Sequence, residues 1–285
     1  MRIFIFIFIL LLALTSGVAE AQTAREDSSW IERISGDVWN GAGGVTKWYD
    51  TPLALVFLAR NYYKADNEKT KIIFYPAMPF EQRIADDIGV TDGYSFGSMN
   101  IWIIPGIILG SRLAWAIGNN IAGTENMSEE YAHAWTFSRV LMYNYLTTEL
   151  VKNTVRRTRP DQSDTKSLFS GHVSSAFVTS AFVYREVDDM LDETMAQGMS
   201  RDAIKVASFG VLYGWAAYVG YCRMVDNKHY LVDVLVAAAV GSLFGNLIHD
   251  YYFGQVDGNP PSDNPPSVGF GIIDEQPVLS FSLKF

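Results

Sequence analysis

Cysteine is almost missing: Cys222 is the single thiol in 285 residues. One thiol cannot close an intrachain disulfide, so packing must hold the fold. Its apolar, helical surroundings mark it as a small buried filler rather than a reactive group. A basic surplus is missing too. The formal charge is −9, from 22 Lys and Arg against 31 Asp and Glu. The acids are spread along the chain and no basic face accompanies them, which argues against nucleic acid as a partner. Any positive charge that receives an anionic ligand must therefore be local.

The sequence opens on Arg2 and the apolar run IFIFIFILLLAL, then reaches Val18-Ala19-Glu20-Ala21. A basic start, a short apolar core and an A-x-A ending describe a signal peptide cut after Ala21. The run is shorter than the roughly 20 residues a bilayer requires. Export to the periplasm or the exterior is the expectation. Residues 22–99 read as an extension of short helices and irregular connections. From 100 to 253 longer helical patterns follow: Ile101 to Ile117, Glu129 to Arg157, Ser170 to Val187, a short acidic helix Met190 to Met199, Arg201 to Arg223, and Tyr230 to Tyr252. These lengths and periods predict an all-α fold, a compact helical bundle.

Two of these segments are long and apolar enough to enter a membrane, and the second holds Gly241 and Gly245 at GxxxG spacing. Lys205 and Asp233 interrupt them, and the central helices of a soluble bundle can be apolar all round. A soluble bundle, with membrane association as the alternative, is expected. Residues 254–285 begin as a stiff Pro-rich linker. They end in alternation, Leu279, Phe281, Leu283 and Phe285 against Ser280, Ser282 and Lys284, which predicts a short C-terminal β-hairpin.

Three blocks carry chemistry. Lys152 and Arg159 lie seven apart, two helical turns, so a helix would project both from one face. Pro160 should end that helix at Arg159. An ammonium and a guanidinium fork together suit a tetrahedral oxyanion, although a solvated basic helix end has the same composition. Arg156 and Arg157 are close by, so spacing alone does not say which arginine matters. Ser170-Gly171-His172 precedes an apolar helical pattern. Ser170 is a candidate N-cap, and the free N–H groups of a helix start bind phosphate. In the third block, His229 and Asp233 are four apart on one helical face, and Arg223 precedes them. The carboxylate can accept Nδ1–H and leave Nε2 bare, as a nucleophile or ligand. His133 and His249 show no comparable partners in the sequence.

The pattern K-x6-RP, then SGH, then R-x5-H-x3-D resembles the type 2 phosphatidic acid phosphatase and vanadium haloperoxidase superfamily, over Lys152 to Asp233. Phe169 stands where proline is usual and Cys222 where serine is usual, which touches loop shape but not the core chemistry. The resemblance implies that residues 100–253 form the catalytic bundle of a metal-independent phosphatase. It also implies roles. His229 is the nucleophile and forms a phosphohistidine, Asp233 orients it, and His172 protonates the leaving alcohol and then activates water. Lys152, Arg159, Ser170, Gly171 and Arg223 bind the phosphate oxygens. Adjacent Lys and Arg would repel a metal ion, so no metal and no cofactor are expected, with vanadate as an inhibitor. The substrate is a small phosphomonoester or, less directly, a lipid phosphate held along the apolar segment Phe96 to Trp115. A vanadate-dependent haloperoxidase, with vanadate as its cofactor in the same pocket, is the competing enzyme; bromide oxidation by peroxide would reveal it. A non-catalytic exported helical protein is the third possibility.

Overall fold

The computed structural model of the chain describes residues 28–63, 75–90, 101–254, 267–273 and 276–282. Residues 1–21, where a signal peptide is expected, lie outside them. Among the described residues the architecture is α-helical: α1 Trp30–Val38, α2 Asp50–Tyr63, α3 Pro79–Ile88, α4 Ile103–Ala122, α5 Ser128–Thr154, α6 Gly171–Thr194, α7 Met199–Val225 and α8 Leu231–Phe253. A single π-turn, Trp39–Gly43, extends α1. The backbones of β1 Ser267–Ile273 and β2 Gln276–Ser282 run antiparallel. How that pair sits on the bundle lies outside the described residues, so the covering hairpin stays an expectation.

Helix α5 is the axis. Trp135, Phe137, Val140, Leu141 and Met142 are buried on several sides of it, so no single apolar stripe marks it. One core joins Trp135 and Met142 to Val38, Ala42 and Phe57 of the N-terminal helices. A second joins Phe137 and Val140 to Leu109, Val178 and Phe182. A third, Phe169, Val173, Val234 and Ala237, lies under the blocks that carry the chemistry. A buried pair, Arg139 with Asp50 at 3.1 Å, ties α2 to α5. Pro105 falls in the first turn of α4, where its missing N–H costs no helical bond.

Several boundaries differ from the sequence reading. The acidic stretch after Val187 is no separate helix: α6 runs on to Thr194, and its acids face α7, where Asp188 pairs with Lys205 and Asp192 with Arg201. Those partners neutralise residues that look like a solvated surface. The GxxxG pair is used within the chain. A Cβ on Gly241 would lie 2.4 Å from the Ser174 carbonyl oxygen, and one on Gly245 would lie 2.6 Å from Ala181 Cβ. Both glycines let α8 press onto α6. Gly241→Ala is therefore expected to destabilise by roughly 1–3 kcal/mol through overpacking, despite alanine's better helix propensity. A thermal melt checks this; an unchanged midpoint would show that α8 has room to move.

The outer faces carry several exposed apolar side chains. Ile107 on α4 is 63% exposed, and Val206 and Val211 on α7 are each 72% exposed. Ile103, Ile121, Phe209, Leu235 and Leu243 are exposed as well. Helix α8 is long and apolar enough to cross a membrane by length and composition, and only 28% of its most apolar window is buried in the chain.

Candidate active site

All three blocks meet at one end of the bundle. Helices α5 and α7 arrive there by their C-termini, bringing Lys152 and Arg223. Helices α6 and α8 start there, bringing Gly171, His172 and Asp233, so two positive dipole ends face the same space. Arg159 and His229 come from the connecting loops.

The electrostatics report how close these groups are. Burial first, and then Lys152, Arg159 and Arg223, hold the His229 imidazole well below its ordinary value. Burial and the same three cations, Arg223 foremost, hold His172 down at about 4. Lys152 is lowered to about 8, by burial and then by Arg159. Among the described residues no carboxylate lies within ion-pair distance of Lys152, whereas Arg159 is held by Asp164 at 2.6 Å and Arg223 by Asp226 at 3.3 Å. Three cations therefore surround two neutral imidazoles.

The helix does not carry Arg159. It ends at Thr154, with Val155 already extended, well short of Pro160. Arg157 explains the early stop: its guanidinium is drawn into the interior by two buried carboxylates, Glu81 and Asp233. The chain then returns through Ser167 N–H, which donates to Arg157 O at 2.9 Å. Arg159 comes near Lys152 from that loop and not from the shared helix face that the two-turn spacing predicts.

Ser170 is the N-cap residue of α6, but its side chain makes no cap bond. Its hydroxyl is fully buried and has no partner. A buried hydroxyl without a protein partner at a helix start, beside three cations, can donate to an oxyanion. Gly171 shapes the same space. A Cβ there would lie 3.1 Å from Thr148 Cγ2 and 3.5 Å from Lys152 Nζ, in the ground the ligand needs.

The His229–Asp233 pairing expected from their spacing is not made. His229 Nδ1 lies 2.6 Å from the Ser167 carbonyl oxygen. A carbonyl only accepts, so Nδ1 carries the proton and Nε2 the free lone pair. Asp233 caps its own helix instead, accepting Tyr230 N–H at 2.9 Å, because it sits in the first turn of α8 while His229 lies before the helix begins. It also accepts the Ser167 hydroxyl at 2.5 Å and one arm of Arg157. Ser167 thus links Asp233 to His229, through its hydroxyl on one side and its carbonyl on the other. Sequence reasoning missed Ser167, Arg157 and Glu81. The doubled arginine was a signal for Arg157, but nothing local pointed to a glutamate 76 residues away.

The two remaining histidines do have partners. His133 Nδ1 lies 2.9 Å from Glu186, and its ring stacks on Phe253. His249 is fully buried, 3.7 Å from Asp189. Both sit at the opposite end of the helices from the site. Cys222 is buried.

Comparison with known proteins gives the site a lineage. The PAP2 superfamily model matches residues 133–257. Lipid A 1-phosphatase of Porphyromonas gingivalis is 34% identical over 91 residues, covering 32% of this chain and 17% of that protein. Phospholipid phosphatase 2 of Bos taurus is 30% identical over 117 residues, covering 41% of this chain and 38% of that protein. The chain spans well under half the length of either relative. No solved structure matches. Lys152, Arg159, Ser170, Gly171, His172, Arg223, His229 and Asp233 all fall within residues 133–257, the stretch that matches the PAP2 superfamily model.

Proposed function

We propose that the protein is a phosphatase that removes phosphate from lipid phosphates through a phosphohistidine on His229. The carrying observation is the meeting of three cations with a neutral imidazole whose Nε2 lone pair is free. Nε2 attacks phosphorus, an N–P bond forms, and the P–O bond to the leaving group breaks. Lys152, Arg159 and Arg223, with Ser170 Oγ and the first N–H groups of α6, take up the non-bridging oxygens. Such fixed charge supplies most of what phosphoryl transfer needs. His172 gives its proton to the departing alkoxide, then draws one from the water that hydrolyses the N–P bond. The anion's negative charge offsets the three cations, which raises the proton affinity of His172 when substrate is bound.

Two things support a lipid substrate. The names of both relatives refer to lipids. The exposed apolar faces of α4, α7 and α8 suit contact with acyl chains, which supports a lipid substrate. Turnover of phosphatidic acid in detergent, against p-nitrophenyl phosphate, tests this reading. The lipid should be preferred in kcat/KM, and vanadate should compete with both. A strong preference for p-nitrophenyl phosphate would return the protein to the small-substrate phosphatases.

The lowered Lys152 sets a pH limit. Its ammonium is present below about 8 and is lost as pH rises through that value, so kcat/KM should fall on the alkaline side near pH 8. Arginine stays charged there. The Lys152→Arg variant should be slower but should keep its activity to higher pH. An alkaline limb that stays in place would assign it to another group.

A further inference from the structure

We propose that Glu81, on a helix outside the PAP2-matched stretch, is a positioning residue for the phosphatase site, acting through Arg157 on Asp233. The proposal rests on the phosphatase reading above. Glu81 is fully buried, and so is the Arg157 side chain. Glu81 Oε2 accepts one Arg157 arm at 2.5 Å, while the other arm goes to Asp233. The guanidinium lies 4.8 Å from the Tyr75 ring and 4.6 Å from the Tyr230 ring, so its plane is fixed. Helix α3 is itself fastened to the site by Val90 N–H, which donates to Val225 O at 2.9 Å.

A structural explanation for Glu81 exists and falls short. Its Oε2 also accepts Met78 N–H at 2.8 Å, capping α3. A cap needs only one surface oxygen, yet here the carboxylate is wholly buried and its Oε1 has no partner. Burying a charge that way is costly, and a neutral side chain could cap as well. The count of charge supplies the reason. With both carboxylates ionised, Glu81, Arg157 and Asp233 together carry one net negative charge in the interior. Without Glu81, Arg157 would neutralise Asp233 outright. With it, Asp233 keeps a negative charge facing Ser167 and His229, where the imidazole turns cationic on accepting the phosphoryl group. Glu81 thereby preserves both the charge and the Ser167 contact that fixes the His229 tautomer.

The test uses the full chain in detergent with Glu81→Gln, which keeps shape and capping but removes the charge. It is expected to lower kcat by roughly 10–100-fold, the range seen when outer-shell partners are lost. KM and vanadate inhibition should hardly change, because the cations are untouched. Nitrogen-15 NMR of the four histidines gives a readout independent of turnover: in the wild type His229 should show protonated Nδ1 and bare Nε2, and in Glu81→Gln a mixture. The double variant Glu81→Gln/Arg157→Gln leaves Asp233 as the sole charge of the group and should recover part of the lost kcat. A Glu81→Gln protein with unaltered kcat and tautomer but a lower melting temperature would reduce Glu81 to a cap and overturn the proposal. So would a double variant slower than the single one. If the wild type turns over no phosphoester, the phosphatase reading fails, and the histidine spectra alone decide whether Glu81 governs His229.

Discussion

His229→Ala should lower kcat by at least about 10⁴-fold, the scale on which loss of a covalent nucleophile is felt. The reason is local. Nε2 is the basic atom among the three cations, and its proton has been placed on the far nitrogen by the Ser167 carbonyl. His172 cannot substitute, since its task is at the leaving group. Substrate binding should survive, because Lys152, Arg159, Arg223 and the start of α6 hold the phosphate. Chelators should leave the wild-type rate unchanged. Full inhibition by a chelator, reversed by a divalent ion, would contradict the metal-free chemistry. A His229→Ala rate within tenfold of the wild type would move the nucleophile elsewhere.

Arg157→Ala should have the largest effect on stability. It leaves Glu81 and Asp233, both fully buried, facing each other without their common partner. Breaking a buried ion pair from one side costs about 3–5 kcal/mol, because an uncompensated charge stays in the interior. The loss should shrink as pH falls, since protonating either carboxylate removes the repulsion. Denaturant unfolding at neutral and acid pH measures both quantities. Arg157→Met should be milder in packing but no milder in charge, and the two variants together separate the contributions. A loss under about 1 kcal/mol at neutral pH would mean that water reaches the pair.

What could be seen in the sequence was whatever depends on nearby residues. The length and apolar content of their segments gave α5, α7 and α8 to within a few positions. The three blocks gave Lys152, Arg159, Ser170, Gly171, His172, Arg223 and His229, which the fold gathers at one end. What was hidden depends on partners far apart. The acids at the end of α6 looked solvated because Arg201 and Lys205 oppose them from another helix. His133 looked alone because Glu186 is 53 positions away. The His229–Asp233 spacing suggested a direct bond, but that rule holds only when both residues are helical, and His229 is not. The early end of α5 follows from Arg157 being pulled inward, and nothing within a helical turn of Arg157 says so.

The outer surface teaches a similar lesson. Hydropathy alone could not tell a buried apolar helix from a lipid-facing one. Burial shows that α8 has two sides: Ala237, Gly241 and Gly245 are buried, while Leu235 and Leu243 are exposed.

Trapping the intermediate tests the central claim most directly. The full chain, mixed with phosphorus-32-labelled substrate for a few milliseconds and quenched in alkali, should carry an acid-labile, alkali-stable phosphoryl group. Peptide mapping should place that label on His229. A label on a serine or a carboxylate, or turnover with no label at any quench time, would contradict attack by the His229 imidazole.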